Sequence, residues 1–341
     1  MDIELIKSEN RICSCCMTEH EVKTVLIAQQ AIFKKIKVNY KAMYLLCDLE
    51  DELYMDEHMM NHNDLQIKDS YRRKQGLLTS SDIHNIRKKY GVSQKDMSIL
   101  LGWGEKTITR YEGHQVQDKA HDMILKKIDR DPEWFLTLLE EVKDELSKTA
   151  YQRYFDVATA LFEEEQDMYL RKAIEANYAR FHENPLLHGN TRLSLDKVVD
   201  VIRYYASSEH ITNLYKVKLM KLMWYADALS YKKRGFAITG LVYQAMPMGA
   251  VPVGHNSIIA LKDVPCEEVD MGETNAYRFC LKKSYEDALT CEDKEILDMV
   301  IERLGMMSKN QIVSFMHKER AYTETAPWEM IQFKYADSLQ I

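Results

Sequence analysis

A mainly α, multidomain protein with small β-containing modules is what this sequence predicts, on three observations. Met, Leu, Lys and Glu are frequent and proline is rare, 6 in 341 residues, so long stretches can run as helix. Apolar residues recur at helical spacing behind Ser and Thr caps in several places, the primary helix signal. Near the N-terminus, around a cysteine cluster, the pattern changes to short apolar, β-branched runs. The length suggests two or three domains.

Composition narrows the function classes. No apolar run approaches the length of a membrane span, so no membrane partner is expected. The first residues, MDIELIKSEN, are polar and acidic, which is not the pattern of a signal peptide. Seven cysteines, odd in number and unevenly spaced, point to a reducing cytoplasm rather than a disulfide framework. Net charge is -7, yet its distribution matters more than its sum. Cations outnumber anions over 71–130, with Arg72, Arg73, Lys74, Arg87, Lys88 and Lys89 among them. The flanks, 48–56 and 131–167, are acidic. Nucleic acid is therefore expected to meet only the middle of the chain.

Residues 1–70 read as a small zinc-finger-like module. Cys13 and Cys16 form a C-x-x-C with Cys15 inside it, 22–27 and 36–44 look like short strands, and Cys47 follows about thirty residues on. Two cysteine knuckles on hairpins would hold tetrahedral zinc. The second knuckle has only Cys47, so the metal candidates are Cys13, Cys16 and Cys47, with Cys15, Asp48 or Glu50 open as the fourth ligand. A degenerate knuckle that folds without metal is the alternative. The stretch 56–78 reads as a connection.

Residues 71–130 read as a helix-turn-helix DNA-binding domain. Thr79 and Asp82 can cap a first helix that carries Ile83, Ile86 and Tyr90 on one face. Ser93 caps a second, with Met97, Leu100 and Leu101 inward. Gly102-Trp103-Gly104 breaks it, and a third helix follows with Ile108 and Tyr111 inward. That leaves Lys106, Thr107, Thr109 and Arg110 outward, with Lys95 nearby. Cations and hydroxyls of this kind reach phosphates and base edges in a major groove. A later helix, 117–128, would turn Ala120, Ile124, Leu125 and Ile128 inward. One recognition helix covers few base pairs, so a homodimer on operator DNA is expected.

Residues 131–185 read as an acidic helical spacer, and 186–341 as a separate domain. The latter has helical patterns at 194–206, 214–231, 287–304 and 308–317, strand-like runs at 237–239 and 241–245, a turn at 249–252 and a closing cap at 325–328. In the long helix, Lys218 and Lys221 are read as its polar side. His210, His255 and His317 are scattered, and no nucleophile elbow, H-E-x-x-H or phosphate loop is present. The domain is expected to bind rather than to catalyse. Met220 and Met223 read as core, while Met246 and Met248 divide evenly between core and adaptable surface.

Two resemblances fit these residues. The ending Arg110-Tyr111-Glu112-Gly113, after a helix opening on Ser93-Gln94, resembles the helix-turn-helix of Xre-like bacterial repressors and antitoxins. With the C-x-x-C it resembles zinc-finger-like, MqsA-like antitoxins from about Cys13 to about Ile128, the missing fourth cysteine being the departure. Further on, Lys218-Leu219-Met220-Lys221-Leu222-Met223-Trp224-Tyr225-Ala226 resembles the K-L-x-K-L-x-x-Y-A helix of the Panacea (SocA-like) antitoxin domain. Gly249-Ala250-Val251-Pro252 stands where that family has Gly-Pro-Val, and Ser308, His317, Ala321-Tyr322 and Thr325 are similar to its closing segment.

The resemblance implies a compact helical domain with a small β element. Such a domain neutralises a toxin encoded beside it, in some members by delivery to a protease. It does not name the toxin. The toxin surface is expected at Lys218, Lys221, Tyr225, Met246, Met248 and Val251, where the long helix meets the glycine turn. The expected function is that of a type II antitoxin repressing its own operon. Alternatives are a mobile-element repressor whose C-terminal domain binds another partner, and a protease adaptor.

Overall fold

The computed structural model describes residues 3–270, 275–281 and 285–341. The chain divides into two compact units, Met1–Phe162 and Glu163–Ile341, so the boundary falls inside the stretch read as a spacer. Helices dominate both units, with small antiparallel sheets.

The first unit begins with a sheet of β1 (Ile3–Ile12), β2 (Glu19–Phe33), β3 (Ile36–Cys47) and β4 (Glu52–Tyr54), hydrogen-bonded in that order. Strand β1 was not expected. It is an edge strand with no buried residue, so it lacks the apolar alternation that marks a half-buried strand. Helix α1 (Glu57–Gln75) replaces the expected connection; Asp56 accepts the Met59 N–H at its start and Gly76, at φ 67°, ends it. Its buried residues are Met59, Asn63, Asp69 and Arg72. Three of the four are polar, so apolar periodicity gives no sign of it. Asn63 clamps α1 to β3: its Oδ1 accepts Met43 N–H at 2.7 Å and its Nδ2 donates to Met43 O at 2.9 Å.

The helices that follow are α2 (Ser80–Lys89), α3 (Gln94–Leu100), α4 (Thr107–Gly113), α5 (Lys119–Arg130), α6 (Pro132–Glu141) and α7 (Lys148–Tyr178). The capping box of Thr79 and Asp82 is formed, and Ser93 accepts the Asp96 N–H. Ile83, Ile86, Tyr90, Met97, Leu100, Ile108, Tyr111, Leu125 and Ile128 share one core. Ala120 does not join it; it is exposed. Phe135, Leu139, Leu146, Tyr154 and Ala158 complete the same core, and Phe135 stacks on Tyr90 at 3.9 Å. Residues 131–162 are therefore structural wall rather than spacer, because helices as short as α3 and α4 need a larger partner surface to be stable.

The second unit contains α8 (Pro185–His188), α9 (Leu195–Ser207), α10 (Lys216–Arg234), β5 (Tyr243–Met246), β6 (Gly249–Pro252), α11 (His255–Ile259), β7 (Cys266–Asp270), β8 (Asn275–Phe279), α12 (Cys291–Leu304), α13 (Lys309–Met316), α14 (Arg320–Thr323) and β9 (Met330–Ile331). One sheet runs β6-β5-β9 and another pairs β7 with β8. The stretch expected as a turn at 249–252 is strand β6, the reversal falls at Pro247 and Met248, and 237–239 forms no strand.

Helix α10 is the axis of this unit. All thirteen residues from Lys218 to Ser230 are buried. It lies against α12, α13, β6 and a 3-10 turn at Phe333–Ser338. A helix buried on every side has no solvent face, so the polar side expected for Lys218 and Lys221 does not exist. Among the described residues no helix is long and apolar enough to cross a membrane.

Candidate functional site

Three segments of the N-terminal sheet converge on one point. Cys13 and Cys16 lie in the turn between β1 and β2, and Cys47 ends β3. Lys23 pairs with Leu46, so Val22 and Cys47 come next along their strands. The two-residue period of a strand puts His20 on the Val22 side. The Sγ atoms of Cys13, Cys16 and Cys47 and a ring nitrogen of His20 all lie within 4.8 Å of one another. His20 Nε2 is 3.6 Å from Cys47 Sγ, while His20 Nδ1 meets Glu21 O at 2.9 Å. With the proton on Nδ1, that bond aims the Nε2 lone pair at the three sulfurs, as ligating histidines are oriented.

The fourth member is therefore His20, not Cys15, Asp48 or Glu50. Cys15 Sγ donates to Glu52 at 3.5 Å and Asp48 pairs with Lys23 at 2.7 Å. Glu50 contributes its backbone instead: the N–H groups of Glu50 and Leu49 point at Cys47 Sγ, as those of Cys16 and Cys15 do at Cys13 Sγ. Both cysteines thus sit in knuckle turns, although only the first knuckle has its second cysteine. Burial opposes ionisation of Cys13, but the Tyr54 hydroxyl and the two knuckle N–H groups outweigh it and hold the thiol down to about 5. Burial pushes the Cys47 thiol up, and contact with the Cys13 sulfur pushes the His20 imidazole up. Three sulfurs and one imidazole nitrogen, with no carboxylate among them, fit a tetrahedral thiophilic metal and not a hard cation.

Lys106, just before α4, and Thr109 and Arg110 on it are exposed, as is Lys95 on α3. Lys95 lies 3.4 Å from Glu105. Thr107 departs from expectation: it is 7 % exposed and packs inward at the first turn of α4. A polar ladder braces this face. Thr109 Oγ1 donates to Gln94 at 2.9 Å, Gln94 Nε2 donates to Glu112 at 2.7 Å, and Arg87 Nε donates to Glu112 at 2.6 Å. Burial alone would raise the Glu112 carboxyl, but Arg87, Gln94 and His84 hold it below its usual range. Ser80, Ser81, His84, Gln94 and Thr109 line a cleft of about 480 Å³ beside this ladder.

In the second unit the expected surface separates into two parts. Lys218, Lys221 and Tyr225 lie in the core, at 2 %, 0 % and 0 % exposure. Lys218 Nζ donates to Thr212 O and Gly305 O, both at 2.6 Å, and Lys221 Nζ to Ala250 O at 3.1 Å. Tyr225 donates to Glu319 at 3.3 Å. Met246 and Val251 are half-buried on β5 and β6, and Met248 is exposed at the reversal between them. Asp227 carries no motif in the sequence, yet it is fully buried on α10. Its Oδ1 accepts the N–H groups of Ile238 and Thr239, both at 2.9 Å, and its Oδ2 accepts the Tyr243 hydroxyl at 2.7 Å. It thereby fixes the whole 238–243 segment to α10.

Residues 219–322 match the family model described as antitoxin SocA-like, Panacea domain. The matched stretch runs from α10 through α14, the axis helix and the elements packed around it. No curated protein and no solved structure matches the chain.

Proposed function

We propose that this protein is an antitoxin that binds a cognate protein toxin through its second unit and represses its own operon through its first. The observation that carries the reading is the match of 219–322 to the antitoxin SocA-like domain. The exposed hairpin residue Met248, flanked by Met246 and Val251, is the part of the expected toxin surface that remains available. In this reading the second unit is a binding module rather than an enzyme.

The first unit is read as a helix-turn-helix protein that binds operator DNA as a homodimer. The geometry of α3 and α4 supports this, with Lys95, Lys106, Thr109 and Arg110 outward on a braced face. Zinc is the proposed metal, held by Cys13, Cys16, His20 and Cys47. It would supply structural cross-linking of three strand ends, since four protein ligands leave no open position for catalysis.

Growth with the neighbouring reading frame induced tests the central claim. Co-expression of this chain should restore growth. Met248→Lys should reduce rescue at unchanged protein level. A neighbouring product that is not toxic, or toxicity unaffected by this chain, would remove the antitoxin assignment.

A further inference from the structure

Helix α1 begins beside the cysteine–histidine cluster and ends inside the helical bundle. At its start Met59 packs in the same cluster as Cys13 and Cys47, and Asn63 grips the backbone of β3 at Met43. At its end stand Asp69 and Arg72, at 4 % and 0 % exposure. Arg72 Nη1 donates to Asp69 at 2.7 Å and Arg72 Nε to Gln117 at 2.9 Å. Its Nη2 donates to Tyr111 O and Gln115 O, both at 2.7 Å. Tyr111 lies in the last turn of α4, where helix carbonyls have no partner of their own, and Gln115 stands two residues beyond its end. Asp69 in turn accepts the Ser80 N–H at 2.9 Å and the Ser80 hydroxyl at 2.6 Å, at the first residue of α2.

We infer that α1 couples the cysteine–histidine cluster to α4, with Asp69 and Arg72 as positioning residues that set α4 against α2, so that metal occupancy controls how well α4 is held for operator reading. The DNA arm rests on the reading of α4 as the operator-facing helix. The physical reason is the absence of slack along the route. A buried guanidinium with every partner at hydrogen-bond length cannot shift without stranding the Tyr111 and Gln115 carbonyls or the Asp69 carboxylate, which is costly in a dry interior. At the other end, without metal the three thiols and the imidazole are tied only by the ends of the sheet ladder and by single contacts, Tyr54 to Cys13 and His20 to Cys47, a looser linkage than four bonds to one ion. Movement of β3 passes through Asn63 into α1 and from there to α4. Coupling of this kind is reciprocal: operator binding tightens metal binding by the factor by which metal tightens operator binding.

The test uses the full chain, loaded with zinc or stripped by chelation, with cobalt as a spectroscopic substitute. Hydrogen exchange of the 107–115 amides should slow on metal loading. Affinity for a labelled duplex from upstream of its own gene should rise by roughly tenfold or more. Asn63→Ala leaves the four metal-site residues and the α4 surface untouched. It should bind cobalt with the same spectrum yet show exchange and operator affinity that differ by less than about twofold with and without metal. Wild-type exchange and affinity that ignore metal overturn the inference, as does an Asn63→Ala protein with the full wild-type response. Exchange that responds to metal in a protein with no operator affinity upholds the coupling and removes the DNA reading instead.

Discussion

Lys221 is a buried amine with one carbonyl partner, and burial alone pulls its pKa from 10.5 down to about 7. The consequence for stability has a definite sign. Above about pH 10.5 the amine is neutral folded or unfolded and costs nothing. As pH falls from there to 7, the unfolded chain takes up a proton that the fold refuses, and stability declines. Below 7 the penalty is complete, at most about 5 kcal/mol at about 1.4 kcal/mol per pH unit. Lys221→Met should therefore raise stability at pH 7 by about 2–4 kcal/mol, after allowance for the lost bond to Ala250. It should also flatten the rise of Tm between pH 7 and 10.5. Denaturant titration at both pH values checks this, and a variant less stable at pH 7 contradicts it. Sequence alone places the two lysines outside, because lysine is almost never fully buried. His20 escaped for the opposite reason: a lone histidine beside acidic residues carries no spacing signal, and only the strand register brings it to the cysteines. His20→Ala and Cys16→Ser should each lower bound metal from about one equivalent; elemental analysis of purified protein decides, and full occupancy of His20→Ala would return the fourth position to another residue.

At the scale of elements, what was legible followed burial of apolar side chains. Helices α2 to α5, α9, α10, α12 and α13 announce themselves by apolar spacing, and α2, α3 and α9 also by their caps Thr79, Ser93 and Ser194, and the structure has them. Strand β1 and helix α1 do not. The first buries nothing, and the second buries an amide, a carboxylate and a guanidinium, so both are fixed by partners distant in sequence. Within α4 the same logic separates Thr107 from its neighbours. Arg110→Ala should weaken operator binding by about 1–3 kcal/mol if it reads a base edge, and affinity should drop steeply with salt. Thr107→Ala should instead act on stability, with operator affinity per folded molecule unchanged. Fluorescence anisotropy with parallel thermal melts resolves the two. An Arg110→Ala protein with wild-type affinity would show that α4 does not face DNA.

At the scale of the whole chain, the place where it divides was the least legible feature. The sequence puts a boundary near 185, at Asn184-Pro185, because a proline and a polar loop look like a linker. The compact units instead divide at Phe162 and Glu163, within the continuous helix α7. The reason lies in which core each part of α7 enters. Tyr154 and Ala158 belong to the core of the first unit. Ile174 and Tyr178, with Phe181 just past the helix end, belong to that of the second, and the Tyr178 hydroxyl donates to Val253 O at 2.8 Å. Arg171 pairs with Asp167 at 2.6 Å, and Asp167 also accepts the Lys262 N–H at 2.8 Å. A fragment starting at 186 would lose all of these and expose the core they cover. Removal of large buried side chains costs about 2–5 kcal/mol each, so Ile174, Tyr178 and Phe181 together cost about as much as the whole stability of an ordinary domain. Residues 163–341 should therefore be soluble and melt cooperatively, whereas 186–341 should aggregate or remain unfolded. Circular dichroism and thermal melts of the two fragments distinguish them. If 186–341 folds as well as 163–341, the second half of α7 is an ornament on the second unit rather than part of its core.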